Sequence, residues 1–508
     1  MSSIPVLIVG AGPTGLVLAL RLAHHEVALR IVDKASGPGQ ASRAMVVQAR
    51  TLELYDQIGI ADEAVAEGIV VDTGRVREGG REIATLAFRE LGAGLSPYPF
   101  PLCYAQDDHE RFLVGKLAAL GCNVEWNTEL VGFAQDGGKV RAMLRSAAGD
   151  ETCVAEYLAG CDGARSRTRE ALGLEFPGGT YEHSFYVADV KLAGEHRNDL
   201  VANMGEGGIN LSLPVRRNGT TRLIGMVPDA MRGRDDVTFA EIEPHVRKFI
   251  GVEVEHVNWF STYRVHHRVA SRFRVGRAFL AGDAGHIHSP AGGQGMNTGI
   301  GDAVNLSWKL AEALQGRAGE AILDTYESER LAFARKLVAS TDKVFSAMVD
   351  QGLAARLMRS YMIPHLAGRL TRIPAVRTTL FRTISQIRIH YRKSALSEGI
   401  AGEVHGGDRL PWVAAGEGNF KSLRGLQWRL HVYGAATPAL ITAAAARCLT
   451  LDAYEWSDAA GEAGLERDAA YLVRPDGHVA WASPRQDGAA LDVFLRKFAL
   501  SFRPAGSL

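Results

Sequence analysis

An apolar run from Ile4 to Val9 stops at Gly10-Ala11-Gly12-Pro13-Thr14-Gly15 and gives way to apolar helical spacing from Thr14 to His25. This junction constrains the fold more tightly than anything else in the chain. In a strand–turn–helix unit the first glycine makes the tight turn and the second lets a pyrophosphate reach the backbone. The third lets helix meet sheet. The helix start then offers its amides, and about half a positive charge, to an anion. Ala28 to Val32 reads as the next strand and ends in Asp33, placed to hold an adenosine ribose. Gly10, Gly12, Gly15 and Asp33 are therefore candidate dinucleotide-binding residues in a βαβ unit.

A second glycine-rich segment, AGDAGHIHSPAGGQGMNTGIGDAVN at 281–305, follows the short apolar run Ala278 to Ala281. That run ends like a buried parallel strand, so Asp283 falls where open α/β sheets bind ligands, just beyond a strand's carboxyl end. So many glycines outside a repeat imply that backbone closely approaches something. His286 and His288 stand two apart near Asp283, but no metal site is expected from them. A third candidate, Cys161-Asp162-Gly163-Ala164-Arg165-Ser166, sits at another strand end ahead of a short helix from Thr168 to Leu172. Cys161 is read as a buried spectator thiol.

With 508 residues the chain exceeds a single core, which points to two or three domains. Its formal net charge is +0, which argues against nucleic-acid binding. The first residues carry no basic leader and no apolar run is long enough to cross a bilayer, so a cytoplasmic protein is expected. Five scattered cysteines suit neither a disulfide framework nor a zinc cluster. One local bias stands out: Arg356, Arg359, Arg369, Arg372, Arg377, Arg382, Arg388, Arg392 and Lys393 lie in a stretch without acids between Asp350 and Glu398. A solvated face is the simplest reading of it.

Further apolar strands near Val124, Tyr157 to Ala159 and Ala278 to Ala281 look like returns to one parallel sheet. Between them, Val70 to Phe100 and Tyr181 to Arg268 alternate apolar and polar residues, as antiparallel strands with one wet face do. From Gly301 to about Ser394 the spacing is helical, with Pro364 and Pro374 expected to break the later helices. After His405 a separate α/β unit begins, with strands at Trp428 to Tyr433, Tyr471 to Val473 and His478 to Ala482, and a helix from Ala489 to Phe498.

Taken in order, the G-x-G-x-x-G, the central Asp-Gly at 162–163 and the late Gly-Asp at 282–283 resemble one family. It is the FAD-dependent monooxygenases of the para-hydroxybenzoate hydroxylase type, in particular the larger hydroxylases of phenols and polyketides. The resemblance spans almost the whole chain, and the region after 405 is similar to the thioredoxin-like tail of those larger members. It implies an α/β fold: a Rossmann-like FAD-binding parallel sheet interwoven with an antiparallel substrate-binding sheet, and a C-terminal thioredoxin-like α/β domain. The implied division is 1–70, 101–180 and 276–395 for FAD with a helical extension, 71–100 and 181–275 for substrate, and 396–508 for the tail. That tail holds only Cys448 and no C-x-x-C, so thioredoxin-like redox work is excluded.

Position by position, the resemblance puts Gly10, Gly12, Gly15 and Asp33 on the ADP half of FAD and Arg43 on its pyrophosphate. Gln106 would face the ribityl side, Asp162 and Asp283 are the two motif acids, and Asp283 would meet a ribityl hydroxyl. The amides of Gly295, Met296 and Asn297 would face the flavin's pyrimidine edge, and Pro290 would stand beside the reacting centre. One departure is His24-His25-Glu26, where the family usually carries a small residue, which puts local turn geometry in doubt.

The implied activity is aromatic hydroxylation of a phenolic or polyketide-like small molecule, using FAD, transient NAD(P)H and O2 through a C4a-hydroperoxyflavin. Candidates for ionising the phenol include Tyr181, Asn210 and His267, within the alternating segments. Baeyer–Villiger or epoxidising oxygen transfer on the same scaffold remains an alternative, as does a non-catalytic flavin-binding interaction protein. A homodimer is left open.

Overall fold

The computed structural model describes residues 3–39, 44–78, 81–194, 198–205, 208–216, 218–234, 236–251, 253–289, 293–349, 373–414 and 418–502. The first strand, Ile4–Val9, lies between Leu29–Val32 and Gly149–Gly160, parallel to both. Ala278–Leu280 extends the parallel set on one side and Val124–Glu125 on the other. The apolar runs are continuous because these strands are covered on both faces: Val6, Leu7 and Ile8 are wholly buried. Helix Pro13–His24 packs on one face beside helix Gly295–Leu314, whose residues are buried nearly all round.

One excursion has no counterpart in the sequence-based reading. Glu129–Asp136, Lys139–Ser146 and the first half of Gly149–Gly160 form an antiparallel ribbon grown from the parallel sheet. The alternation is present at 139–146, where Val140, Ala142 and Leu144 are buried and the intervening residues exposed.

The second sheet runs in the order His286–Ile287, Val254–Val269, Gly178–Leu192, Thr220–Met226, Gly208–Arg216, Leu200–Gly205, Thr73–Glu78, Arg81–Ala87. All its pairings are antiparallel except Leu200–Gly205 with Thr73–Glu78. Residues 73–87 join this sheet early, before the chain returns to the parallel sheet at Val124–Glu125. One face packs Tyr186, Ala188, Val190 and Leu223 against helix Phe239–Ile250. The other packs Leu213 and Val215 against Met45, Ala49 and Phe88 of the first layer.

Two long helices, Gly295–Leu314 and Ala321–Val349, cross behind the glycine-rich segment. Pro374 opens helix Pro374–Ile384 at its first turn, where a missing N–H costs nothing. Pro364 lies outside the described residues. The C-terminal sheet contains Val479–Ser483, Ala470–Val473, Arg429–Tyr433 and Thr450–Tyr454 in that order. Arg429–Tyr433 and Thr450–Tyr454 are parallel across helix Pro438–Ala446, and the other pairs among these four strands are antiparallel. Glu398–Ala401 adds parallel to Val479–Ser483 at the edge, and helix Gly488–Arg496 closes the unit. This is the thioredoxin arrangement.

Candidate functional site

Three strand ends converge. Gly160 pairs with Val9 on one side and Leu280 on the other, so the loops after all three leave the sheet together. Cys161 N donates to Val9 O and Ala281 N to Gly160 O, locking these loops side by side. Gly10, Asp162 and Asp283 thus share one rim, the rim where such sheets bind ligands.

The three glycines of the first loop answer to different neighbours. Gly10 has φ 104, and a Cβ there would sit 2.3 Å from Cys161 O. A Cβ on Gly15 would sit 1.9 Å from Gly10 O. Both are glycine because protein backbone occupies the space. Gly12 differs: its φ is −73, ordinary for any residue, and a Cβ would meet no protein atom within 4 Å. It also caps helix Pro13–His24 without any side-chain hydrogen bond, leaving the first amides for a ligand.

Asp33 braces this loop, accepting from Ala11 N at 2.7 Å and Ala35 N at 2.8 Å. Thr14 is wedged at the junction of helix and loop. A Cβ on Gly282 would come 2.6 Å from its Oγ1, and one on Gly299 would come 2.4 Å from the same atom. Segments far apart in sequence therefore close around the Thr14 side chain, and Gly282 also has φ 62, a left-handed position that favours glycine.

Asp283 is exposed on the short turn Gly282–Ala284. Asp162 is engaged in its own turn: Ser166 Oγ donates to it at 2.5 Å, and Thr168 N and Oγ1 donate at 2.9 and 3.0 Å. Its carboxylate thereby orders the start of helix Arg167–Ala171. Cys161, buried beside it, has its thiol pushed well up by burial, as a spectator does.

Gln106 opens helix Gln106–Ala119; its Oε1 accepts from Ala44 N at 3.1 Å and its Nε2 donates to Glu110 Oε1 at 2.8 Å. Glu110 Oε2 also accepts from Gly39 N at 2.8 Å. These two side chains anchor both ends of the segment that carries Arg43, and Arg43 itself lies outside the described residues. Pro290 also lies outside them.

Gly295, Met296 and Asn297 form the first turn of helix Gly295–Leu314, which no side chain caps. The Asn297 side chain is spent within the protein: Oδ1 accepts from Gln48 N and Thr51 Oγ1, and Nδ2 donates to Val46 O and Gly293 O.

The residue that sequence reasoning missed is Asp302. Fully buried, it accepts from Gly282 N at 2.9 Å, His286 Nε2 at 2.7 Å and Arg330 Nε at 2.5 Å. Burial opposes its ionisation, but Arg330 and His286 outweigh burial and hold it below the usual carboxylate range. His286 is therefore the loop's tie to the long helices. His288 stacks on His286, and burial drives it down to about 4. Among the described residues no group of three side chains is disposed to hold a metal.

The phenol-base candidates separate. Tyr181 donates to Asp342 of helix Ala321–Val349, and its ring lies 4.8 Å from that of His267. His267 Nδ1 stands 3.9 Å from the same carboxylate. Asn210 is elsewhere: it accepts from Tyr186 at 2.6 Å beneath Gly225, on the face covered by helix Phe239–Ile250. At the turn 24–26, Glu26 adopts φ 57, a left-handed position, and His25 is buried and driven down to about 3 by burial.

Comparison with known proteins follows this geometry. Residues 3–341 match the family described as FAD binding domain, and residues 407–499 match aromatic-ring hydroxylase, C-terminal. The 6-methylpretetramide 4-monooxygenase of Streptomyces rimosus is 33% identical, across 97% of this chain and 93% of its own length. The pentachlorophenol 4-monooxygenase of Sphingobium chlorophenolicum is 31% identical, across 80% of this chain and 75% of its own length. Among solved structures, a ternary complex of aklavinone-11 hydroxylase with FAD and aklavinone superposes with a TM-score of 0.80 at 26% identity, covering 98% of this chain and 99% of that one. No described helix is long and apolar enough to cross a membrane. The chain belongs to the FAD-dependent aromatic-ring monooxygenases.

Proposed function

We propose that the protein hydroxylates a phenolic or polyketide-like aromatic substrate, using NAD(P)H and O2. Gly12 is the observation that carries the cofactor site: protein sterics give no reason for glycine there, whereas a pyrophosphate against the backbone does. A flavin held there would supply the redox chemistry: electron acceptance from a nicotinamide and oxygen activation for the aromatic ring.

The chain's own residues would prepare that chemistry. Gly10, Gly12 and Gly15 with Asp33 hold the ADP half, Asp283 the ribityl chain, and the amides of Gly295, Met296 and Asn297 the ring edge that gains negative charge on reduction. Asp162 and Gln106 act one step back, ordering the turns around the ligand, with Arg43 reaching the pyrophosphate and Pro290 flanking the reacting centre. Residues 1–70, 101–180 and 276–395 make up this flavin layer, 71–100 and 181–275 cover it on the substrate side, and 396–508 form the tail.

For the phenol proton we assign Tyr181 and His267, joined to Asp342, as the polar group on the covering sheet; Asn210 supports Tyr186 on its outer face. The names of the relatives, which specify a pretetramide, a chlorophenol and aklavinone, support this substrate class.

The test is NADH and NADPH oxidation by the flavin-loaded protein, with and without a panel of phenols and polycyclic polyketides, under labelled oxygen. Substrate-accelerated oxidation with one labelled atom in a ring hydroxyl supports the reading. A label inserted between ring carbons would favour Baeyer–Villiger transfer, and no acceleration by any member would defeat both.

A further inference from the structure

We propose that the 474–478 turn of the C-terminal unit is a positioning element for the flavin-side loop, acting through the consecutive residues Glu329 and Arg330. The inference rests on reading 281–288 as a flavin-binding segment.

The turn sits in a socket of buried charge. Arg474 donates to both oxygens of Glu329, at 2.8 and 3.0 Å, and to Asp476 at 2.6 Å. Its guanidinium also lies over the rings of Trp308 and Tyr391. Trp308 Nε1 donates to Asp476 at 3.2 Å, and Lys309 Nζ to Glu329 at 2.8 Å. The turn's own carbonyls are used as well: Pro475 O accepts from Arg21 and Asp476 O from Arg50. Arg474, Lys309 and Glu329 are all without solvent exposure.

This socket borders the flavin loop. Arg21 lies on the helix that begins at Gly12, and Trp308 on the helix that begins at Gly295. Arg330, next to Glu329, donates to Asp302 at 2.5 Å, to Tyr391 Oη at 2.8 Å and to Thr298 O at 3.0 Å. Asp302 in turn holds Gly282 N and His286. Tyr391 closes the circuit: its ring is 4.6 Å from His478, and its N donates to Gly407 O of the tail. The route from Arg474 to Gly282 runs through the ion pair with Glu329 and its chain neighbour Arg330, and in parallel through the Tyr391 ring and hydroxyl to Arg330, then through Asp302. Buried polar networks of this kind hold one arrangement. A tail without a C-x-x-C thereby has a structural purpose at the cofactor site.

Hydrogen exchange on the flavin-stripped full chain and FAD titration test this together. Arg474→Met is expected to speed exchange across 281–288 by roughly tenfold and to raise the FAD Kd by a similar factor. Asp492→Asn, in the tail's outer pair with Arg447, should change neither. Tyr391→Phe removes only the hydroxyl that accepts from Arg330 and should reproduce part of the effect should Arg474→Met fold poorly. Combining Arg474→Met with Arg330→Met should add less than the product of the two, because they act along one route. Exchange loosened at 470–483 but unchanged at 281–288, in both Arg474→Met and Tyr391→Phe, would overturn the inference. Faster exchange at 281–288 with parental FAD affinity would instead overturn the flavin reading beneath it.

Discussion

The rim at Gly12 and the socket at Arg474 are both polar and both enclosed by the same two helices, yet they treat hydrogen bonds in opposite ways. At the rim, helices Pro13–His24 and Gly295–Leu314 begin without side-chain caps. At the socket, Glu329 receives hydrogen bonds from Arg474, Lys309, Asn305 and Ser394. Buried donors and acceptors are normally satisfied. The charged side chains of Arg474, Lys309 and Glu329 meet that rule within the protein, whereas the two helix starts at the rim receive no side-chain cap. The difference separates two kinds of buried polarity: one assembles the molecule, and the other reserves donors for chemistry.

Substitutions can break or sharpen that contrast. The largest effect is expected at the socket: Glu329→Ala leaves Arg474 and Lys309 buried without their partner, which costs roughly 3–5 kcal/mol. Chemical denaturation should show it as an early unfolding midpoint, and parental stability would mean the charges are not closed off as described. Next comes Gly15→Ala, whose Cβ would overlap Gly10 O at 1.9 Å. Overpacking of that kind costs up to about 3 kcal/mol, so stability and FAD binding should fall together.

Asp283→Ala should act differently, removing an exposed carboxylate from the rim. We expect FAD affinity to fall roughly tenfold, about 1.4 kcal/mol, with the melting temperature of the flavin-free protein unchanged. A fluorescence titration checks the first and a thermal scan the second.

The last perturbation is pH, whose effect is small near neutrality and grows as acid is added. Burial lowers His288 to about 4 and His109 to about 3, against 6.5 in the unfolded chain. The unfolded state therefore binds protons first, so stability is level above about pH 6.5 and declines as pH falls from there towards 4 and 3. Glu329 works lower down: burial would raise it, but Arg474 and Lys309 hold it at about 2, so its contribution is complete above about 4.5 and lost as pH falls towards 2. A decline beginning only below 4.5 would mean the histidines are not buried neutral.

Much of the rim is legible in the sequence because glycine spacing reports backbone geometry directly. Gly10, Gly12 and Gly15 stand where a strand–turn–helix requires them, and the carboxyl-end position of Asp283 follows from the apolar run before it. The tail's strands are legible because the turn Pro475-Asp476-Gly477 separates two short apolar runs. What sequence hides is partnership. Asp302, Asn305 and Lys309 share one face of a helix that is otherwise apolar, a signal that some buried partner must exist, but nothing local says that it is Arg330, Glu329 or a turn more than a hundred residues away. Asn210 illustrates the same limit: alternation places it on a strand, and only the strand register shows that it faces helix Phe239–Ile250.

Gly12→Ala offers the most direct trial of the account. Its φ suits alanine and no protein atom lies within 4 Å of the added methyl, so the flavin-free protein should lose no more than the roughly 1 kcal/mol that alanine costs at a helix N-cap. FAD titration of that variant should show affinity reduced at least roughly tenfold. A variant that melts like the parent but has lost flavin would confirm that glycine is there for the ligand. One that binds FAD as tightly as the parent would contradict the placement of the pyrophosphate at this rim.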